Sequence, residues 1–166
     1  ELIRSGRKTI GFITGQLSNA SATDRLRGYK LAIESSDAKD DETLIGIADW
    51  GYESAAIATR KLLEQDPNLD AIFCSNDLMA TAAIAVIRDS GRKIPEDIAV
   101  IGFDDSPIAL RTTPQLTSVA QSPEDYARAL GENLLKQMSG EDLSPKPVIL
   151  PTQIVWRDSF KPENHK

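Results

Sequence analysis

Short apolar, β-branched runs alternate with segments of helical periodicity through the first two thirds of the chain, and this alternation constrains the fold more than any other feature. Lys8-Thr-Ile-Gly-Phe-Ile-Thr-Gly15, Leu44-Ile-Gly-Ile-Ala48, Ala71-Ile-Phe-Cys-Ser75 and Ile98-Ala-Val-Ile-Gly-Phe103 are apolar on both faces rather than on alternate residues. Strands of that kind are covered on both sides. The segments between them supply the cover. Ser21-Ala-Thr-Asp24 has the spacing of a helix cap and precedes Leu26, Tyr29 and Ile33 on one face. Tyr52 to Gln65 aligns Ala55, Thr59 and Leu62 and is broken at Asp66-Pro67, while Leu78 to Ser90 is apolar nearly all round and stops at Gly91. The pattern predicts an α/β fold, a parallel β-sheet flanked by helices on both faces, joined by right-handed crossovers.

Beyond residue 103 the rhythm changes. An acidic turn, Asp104-Asp-Ser-Pro107, is followed by a strand at Leu116-Thr-Ser-Val-Ala120 and by a strong helix start at Ser122-Pro-Glu-Asp125, with a Ser cap, Pro at the first position and acids in the first turn. That helix runs to about Ser139 before Gly140. Two apolar runs, Val148-Ile-Leu150 and Ile154-Val-Trp156, stand either side of Pro151, and Phe160 to Lys166 reads as a frayed tail.

At 166 residues the chain is long enough to bury a core without metal or disulfide staples. Its one cysteine, Cys74, lies inside a predicted strand and reads as core filler. The formal net charge of −6 argues against binding nucleic acid over the whole surface, although basic residues outnumber acidic ones in the first thirty positions. No stretch approaches a membrane span or has the apolar core of a signal peptide.

Most catalytic signatures are missing. The sequence holds no Gly-rich phosphate loop ending in Gly-Lys-Ser/Thr, no Gly-x-Gly-x-x-Gly after a strand and no Gly-x-Ser-x-Gly elbow. Its single histidine, His165, lies in the tail, away from any nucleophile, and no His/Cys cluster has metal-ligand spacing. An enzyme would have to work with carboxylates, and Asp104-Asp105 is the pair that invites it. Adjacent side chains at a strand end point in different directions, so the pair reads equally as a turn with a capping Asp.

Ligands of open parallel sheets bind outside the carboxyl ends of the strands. At those ends stand the Gln16 to Ser21 loop leading to Arg25, Asp49-Trp50, Ser75-Asn-Asp77 and Asp104. Arg donates in a fixed fork, Asn donates and accepts, Asp accepts and Trp offers a flat face, a set suited to a polyol or sugar. Singly, each has a plainer reading: Arg25 as a helix-surface charge, Asn76 as an N-cap, Trp50 as partial core.

Collinear motifs then cover nearly the whole chain: Ala71-Ile-Phe-Cys-Ser-Asn-Asp-Leu-Met-Ala80, Gly91-Arg-Lys-Ile-Pro-Glu-Asp-Ile-Ala-Val-Ile-Gly-Phe-Asp-Asp105, Leu116-Thr-Ser-Val-Ala-Gln121 and Leu150-Pro-Thr-Gln-Ile-Val-Trp-Arg157. Together they resemble the effector-binding domain of the lac repressor and galactose repressor family of bacterial transcription regulators. The resemblance implies a two-lobed fold similar to periplasmic sugar-binding proteins, with a small-molecule effector, a sugar above all, between the lobes. Carried over residue by residue, it implies effector contacts from Arg25, Asn76 and Asp104, aromatic packing from Trp50, and a cleft-lining Gln121 where the chain crosses between lobes. Ser122-Pro123 replaces the aromatic or Gln-Pro of other members beside it.

The resemblance also implies an organisation. Residues 1–121 with 152–160 correspond to a C-terminal lobe, 122–151 to part of an N-terminal lobe, and 161–166 to a tail. The rest of that lobe and a DNA-reading helix-turn-helix are expected upstream, in a longer protein. The expected partners are a small-molecule effector, a second copy in a homodimer and, through the helix-turn-helix, operator DNA. No membrane partner is expected, and the expected location is cytoplasmic. No catalytic residue, metal or cofactor enters this reading. The rival assignments are a periplasmic sugar-binding protein of a transporter and, more remotely, a carboxylate enzyme using Asp104 and Asp105.

Overall fold

A computed structural model of the chain describes residues 1–140 and 148–162. Of the predicted segment 122–151, residues 141–147 lie outside the described residues. So do residues 163–166 of the predicted tail, His165 among them. The elements follow the alternation of the sequence: β1 (Ile10–Thr14), α1 (Ala20–Glu34), β2 (Ile45–Ile47), α2 (Tyr52–Gln65), β3 (Ala71–Cys74), α3 (Asp77–Asp89), β4 (Ala99–Asp104), β5 (Thr117–Gln121), α4 (Pro123–Met138) and β6 (Thr152–Val155). They form an α/β fold around one six-stranded sheet of order β2-β1-β3-β4-β5-β6. Among the described residues no helix is long and apolar enough to cross a membrane.

The first five strands pair in parallel, while β6 returns antiparallel to β5, with Val119 opposite Ile154 and Gln121 opposite Thr152. Helices cover both faces. On one, α2 and α3 bury Ala55, Leu62, Met79 and Ile87 against Ile13, Ile72 and Val100. On the other, Tyr29 and Ile33 of α1 lie over Ile10, Ala71 and Ile101, with Phe12 stacked on Tyr29 at 5.0 Å between ring centres. Tyr29 also donates a hydrogen bond to the Ile10 carbonyl at 2.7 Å, and burial together with Asp40 and Asp41 pushes its hydroxyl up to about 12. Cys74 is fully buried in the α2/α3 face, as its place in a strand predicts, and burial pushes its thiol up.

Three expectations need correction, and the sheet adds one antiparallel edge strand to the predicted parallel array. Asn19, not Ser21, caps α1: its side chain accepts from the Ser21 N–H, and Ser21 lies within the first turn. Leu44 belongs to a 3-10 turn, Glu42–Leu44, that delivers the chain into β2 rather than to the strand itself. The sheet is not wholly parallel, since β6 is reached by a return through α4 and not by a helical crossover onto a new edge. Phe160 is not frayed; it is buried, packs edge-on to Trp156 at 5.7 Å, and its carbonyl accepts from Thr117 Oγ1 at 2.5 Å. The tie is tertiary, through a β5 threonine more than forty positions away, so local composition carries no sign of it.

Candidate functional site

In the strand order, β2 lies on one side of β1 while β3, β4 and β5 lie on the other. Such a reversal splays the loops at the carboxyl ends of β1 and β3 apart and opens a crevice there. The rim of that crevice contains all five residues singled out from the sequence. Trp50 follows β2, Arg25 sits in the second turn of α1, Asn76 follows β3, Asp104 ends β4 and Gln121 ends β5.

They form a continuous chain of contacts. The Arg25 guanidinium stacks on Phe103 at 3.9 Å from the ring centre and faces Trp50 at 5.7 Å. One of its nitrogens donates to the Ser75 carbonyl at 2.6 Å, and another stands 4.0 Å from Asp104 Oδ1. Asn76 Nδ2 donates to the Trp50 carbonyl at 3.2 Å, and Gln121 Nε2 makes a long bond of 3.4 Å to Asp104 Oδ1. Loss of hydration lowers the pKa of Arg25 against the opposing pull of Asp104. It raises that of Asp104, where the nearby Asp77 carboxylate adds to the rise, and Arg25 and Gln121 oppose it. Arg25 keeps its charge in any case, so the rim presents a cation, a carboxylate and two amides around an indole.

The plainer reading of Asn76 is also correct. Its Oδ1 accepts from the Met79 N–H and caps α3. That leaves one Nδ2 hydrogen and one Oδ1 lone pair to face the crevice. The Trp50 ring is seated against Gly15, where a Cβ would overlap the indole. Asp49 fixes the preceding turn by accepting from the Gly51 N–H at 3.0 Å and from the Ser54 hydroxyl, and these bonds lower its pKa.

Backbone strain gathers here too. The described non-glycine residues with positive φ are Trp50 (71°), Asp104 (103°) and Asp105 (50°), all on this rim. Asp105 lies in the left-handed region that Asp tolerates, but Trp50 and Asp104 hold angles that need support from their surroundings, and such sites cluster at ligand clamps. The turn also separates the two carboxylates. Asp105 pairs with Arg157 at 2.6 Å while Asp104 stands 4.0 Å from Arg25, so the two adjacent carboxylates have different cationic partners.

Two cavities border the rim. One of about 290 Å³ is lined by Asp104, Gln121, Pro123, Tyr126, Leu150 and Thr152, between the sheet edge and the start of α4. The larger, about 360 Å³, lies on the α1 side of the sheet, where Ile101, Val119 and Ile154 line it and Arg25 and Phe103 stand at its edge. It is nearly all apolar and offers little to orient a polar ligand. Among the described residues no three His, Cys, Asp or Glu side chains stand together as a metal-ligand set.

Two neighbours of the rim escaped sequence reasoning. Phe103 reads as one more apolar strand residue, although it is the platform under Arg25. Asp77 reads as half of an Asn-Asp motif, although it is 1% exposed and faces inward. The signal available was its place at the first position of an otherwise apolar helix that must pack on the sheet.

Comparison with known proteins fits this geometry. Residues 1–160 match the family described as periplasmic binding protein-like domain. The HTH-type transcriptional regulator CelR of Thermobifida fusca is 39% identical over 158 residues, 95% of this chain and 46% of its own length. A solved complex of the transcriptional regulator CelR with cellobiose superposes with a TM-score of 0.89 at 38% identity, covering 96% of this chain and 49% of that one. The lac repressor dimer bound to operator and the anti-inducer ONPF superposes at 0.87 with 26% identity, over 95% of this chain and 47% of that one. The chain spans about half the length of the curated relatives it matches.

Proposed function

Since the chain belongs to the periplasmic binding protein-like domain family, we propose that it is the effector-sensing part of a DNA-binding transcription regulator of the repressor type, holding a sugar against the polar rim. The observation that carries this reading is the gathering of Arg25, Trp50, Asn76, Asp104 and Gln121 into one contiguous set at the reversal of strand order. A flat indole beside a guanidinium, a carboxylate and amides matches the alternating apolar faces and hydroxyl edges of a sugar. A regulator similar to this chain has been solved with cellobiose, and the relatives that it matches are regulators, which favours this reading over a transport component or an enzyme.

The lobe assignment belongs to the same proposal. Residues 1–121 and 152–160 make the sheet and its cover, whereas residues 122–151 contain α4, none of whose side chains is buried. Tyr126, Leu130, Leu134 and Met138 recur every four residues along it, all more than half exposed. This stripe suits a second lobe contributed by the rest of a longer protein, which would close over the rim at the cavity between Asp104 and α4. Effector binding would then act by biasing lobe closure, and so the spacing of two helix-turn-helix heads in a cytoplasmic homodimer.

The test is calorimetric titration of the full-length protein with cellobiose first, then with other sugars, sugar phosphates and purines, in wild type and Arg25→Ala. Saturable sugar binding that Arg25→Ala weakens supports the reading. Turnover of a bound sugar, or binding by purines alone, overturns it. A gel-shift with the isolated 166-residue chain is expected to show no sequence-specific DNA binding, because the rim carries no basic surface for phosphates.

A further inference from the structure

We infer that Asp77 is a positioning residue, which sets the strained Asp104-Asp105 turn from beneath and thereby aims Asp104 at the crevice. Its carboxylate is 1% exposed, and among the described residues no cation lies within ion-pair distance of it. Burying an unpaired carboxylate is costly, and a helix start on a sheet would be filled more cheaply by an apolar side chain.

What the carboxylate holds is the turn. Oδ2 accepts from the Ser106 backbone N–H at 2.6 Å and from its hydroxyl at 3.0 Å. Oδ1 accepts from the Ser118 hydroxyl at 2.6 Å, and that hydroxyl oxygen in turn accepts from the Asp105 N–H at 3.0 Å. Both amides that follow Asp104 are therefore fixed to one carboxylate, directly or through one serine. The neighbouring backbone angles are 103° at Asp104, outside the left-handed region that Asp tolerates and in need of support, and 50° at Asp105, within it.

The sheet leaves room for this arrangement at one place. A Cβ at Gly102 would overlap Asp77 Oδ1, so β4 carries glycine where the carboxylate crosses it. The hydrogen bonds of the Asp77 side chain run to Ser106 and Ser118, not to the five rim residues, which separates positioning from ligand contact. An acid in the first turn of α3 also favours that helix electrostatically, but such a role would not require three hydroxyl and amide donors from the turn and from β5.

Because the consequence for sugar affinity rests on the proposed function, the experiment has a ligand-free arm and a ligand arm. In the full-length protein, Asp77→Asn keeps the shape but replaces one acceptor oxygen with a donor. Hydrogen exchange in peptides covering residues 104–106 is expected to speed up about ten-fold or more, while peptides covering β3 keep their protection. Unchanged exchange in the turn, or equal acceleration in β3, overturns the inference. If Asp77→Asn fails to fold, Ser118→Ala is expected to accelerate the same peptides, and failure to do so overturns it equally.

With cellobiose as the probe, Asp77→Asn is expected to weaken binding about ten-fold. It should add nothing in an Asp104→Asn background, since both act through one side chain. Full additivity assigns Asp77 a separate role and overturns the inference. A wild type that ignores cellobiose counts against the sugar reading alone, and the exchange arm then decides Asp77.

Discussion

Two helices of similar length, α3 and α4, carry apolar side chains to opposite fates. In α3, Met79, Ala80, Ala82, Ala83, Ile84, Val86 and Ile87 are buried between α2 and the sheet. In α4 no residue is buried, although its apolar stripe is regular and its start is better signalled, with Ser122 accepting from the Asp125 N–H and Pro123 in the first turn. Capping and propensity settle where a helix begins; they do not give it a partner. The sheet and its three packed helices bury one another, whereas α4 buries none of its side chains against the described residues.

The largest expected effects follow from this contrast. Ile87→Ala should destabilise the chain by about 2–5 kcal/mol, the usual loss for a buried branched aliphatic. Leu134→Ala in the same chain should change stability by less than about 0.5 kcal/mol, as exposed substitutions do. Urea melts of both variants check the pair, and equal losses would break the comparison. Repeating Leu134→Ala in a longer protein sharpens it, since the second lobe proposed above, if packed on α4, should raise the loss to about 2 kcal/mol or more.

The same contrast marks what was legible in the sequence. The bounds of α2 are readable because Gly51 and Asp66-Pro67 stand at its two ends in the sequence itself, and the left-handed Gly91 after α3 is equally local. Asn19 displaced Ser21 as the cap of α1 because the loop after β1 sets where the chain turns, two residues earlier than the spacing suggested. The antiparallel return of β6 and the anchoring of Phe160 depend on Thr117, Ser159 and Arg157 meeting across more than thirty intervening residues, and no short window contains that information. At the rim, the residue types were legible from their places after strands. Their mutual contacts, and the support from Phe103 and Asp77, needed the strand order.

The rim stands where the two regions meet, so its variants test whether the sheet and its packed helices alone build the site. Arg25→Ala should weaken effector binding by about 2–4 kcal/mol, because it removes a half-buried donor and leaves Asp104 without its cation. The folded stability of the chain should fall as well, since the side chain is only 20% exposed and donates to the Ser75 carbonyl, but by less than the affinity. Calorimetry and urea melts on one variant separate the two, and an unchanged affinity would remove Arg25 from the site. Gly15→Ala should act more gently, by about 1–3 kcal/mol, through overpacking against the Trp50 indole. A shifted tryptophan emission in a Trp156→Phe background would report the displacement, and an unmoved spectrum would contradict the close seating of the ring.

The smallest expected effect lies at the far edge of the sheet, in the turn before β2. Asp41 accepts from the Thr43 hydroxyl at 2.6 Å and from its N–H at 2.9 Å, and pairs with Lys39 at 2.9 Å. These bonds, with the Thr43 hydroxyl first, lower its pKa from 3.8 to about 2. A carboxylate held below its unfolded value stabilises the fold at every pH above that value, and the contribution fades as pH falls from about 4 towards 2. The side chain lies at the surface, 27% exposed, so solvent screens it and the loss should be small. Urea midpoints of wild type and Asp41→Asn should therefore differ near neutrality and converge as pH drops through that window. A difference that persisted below about pH 2 would mean that the substitution disturbs the turn itself rather than its charge.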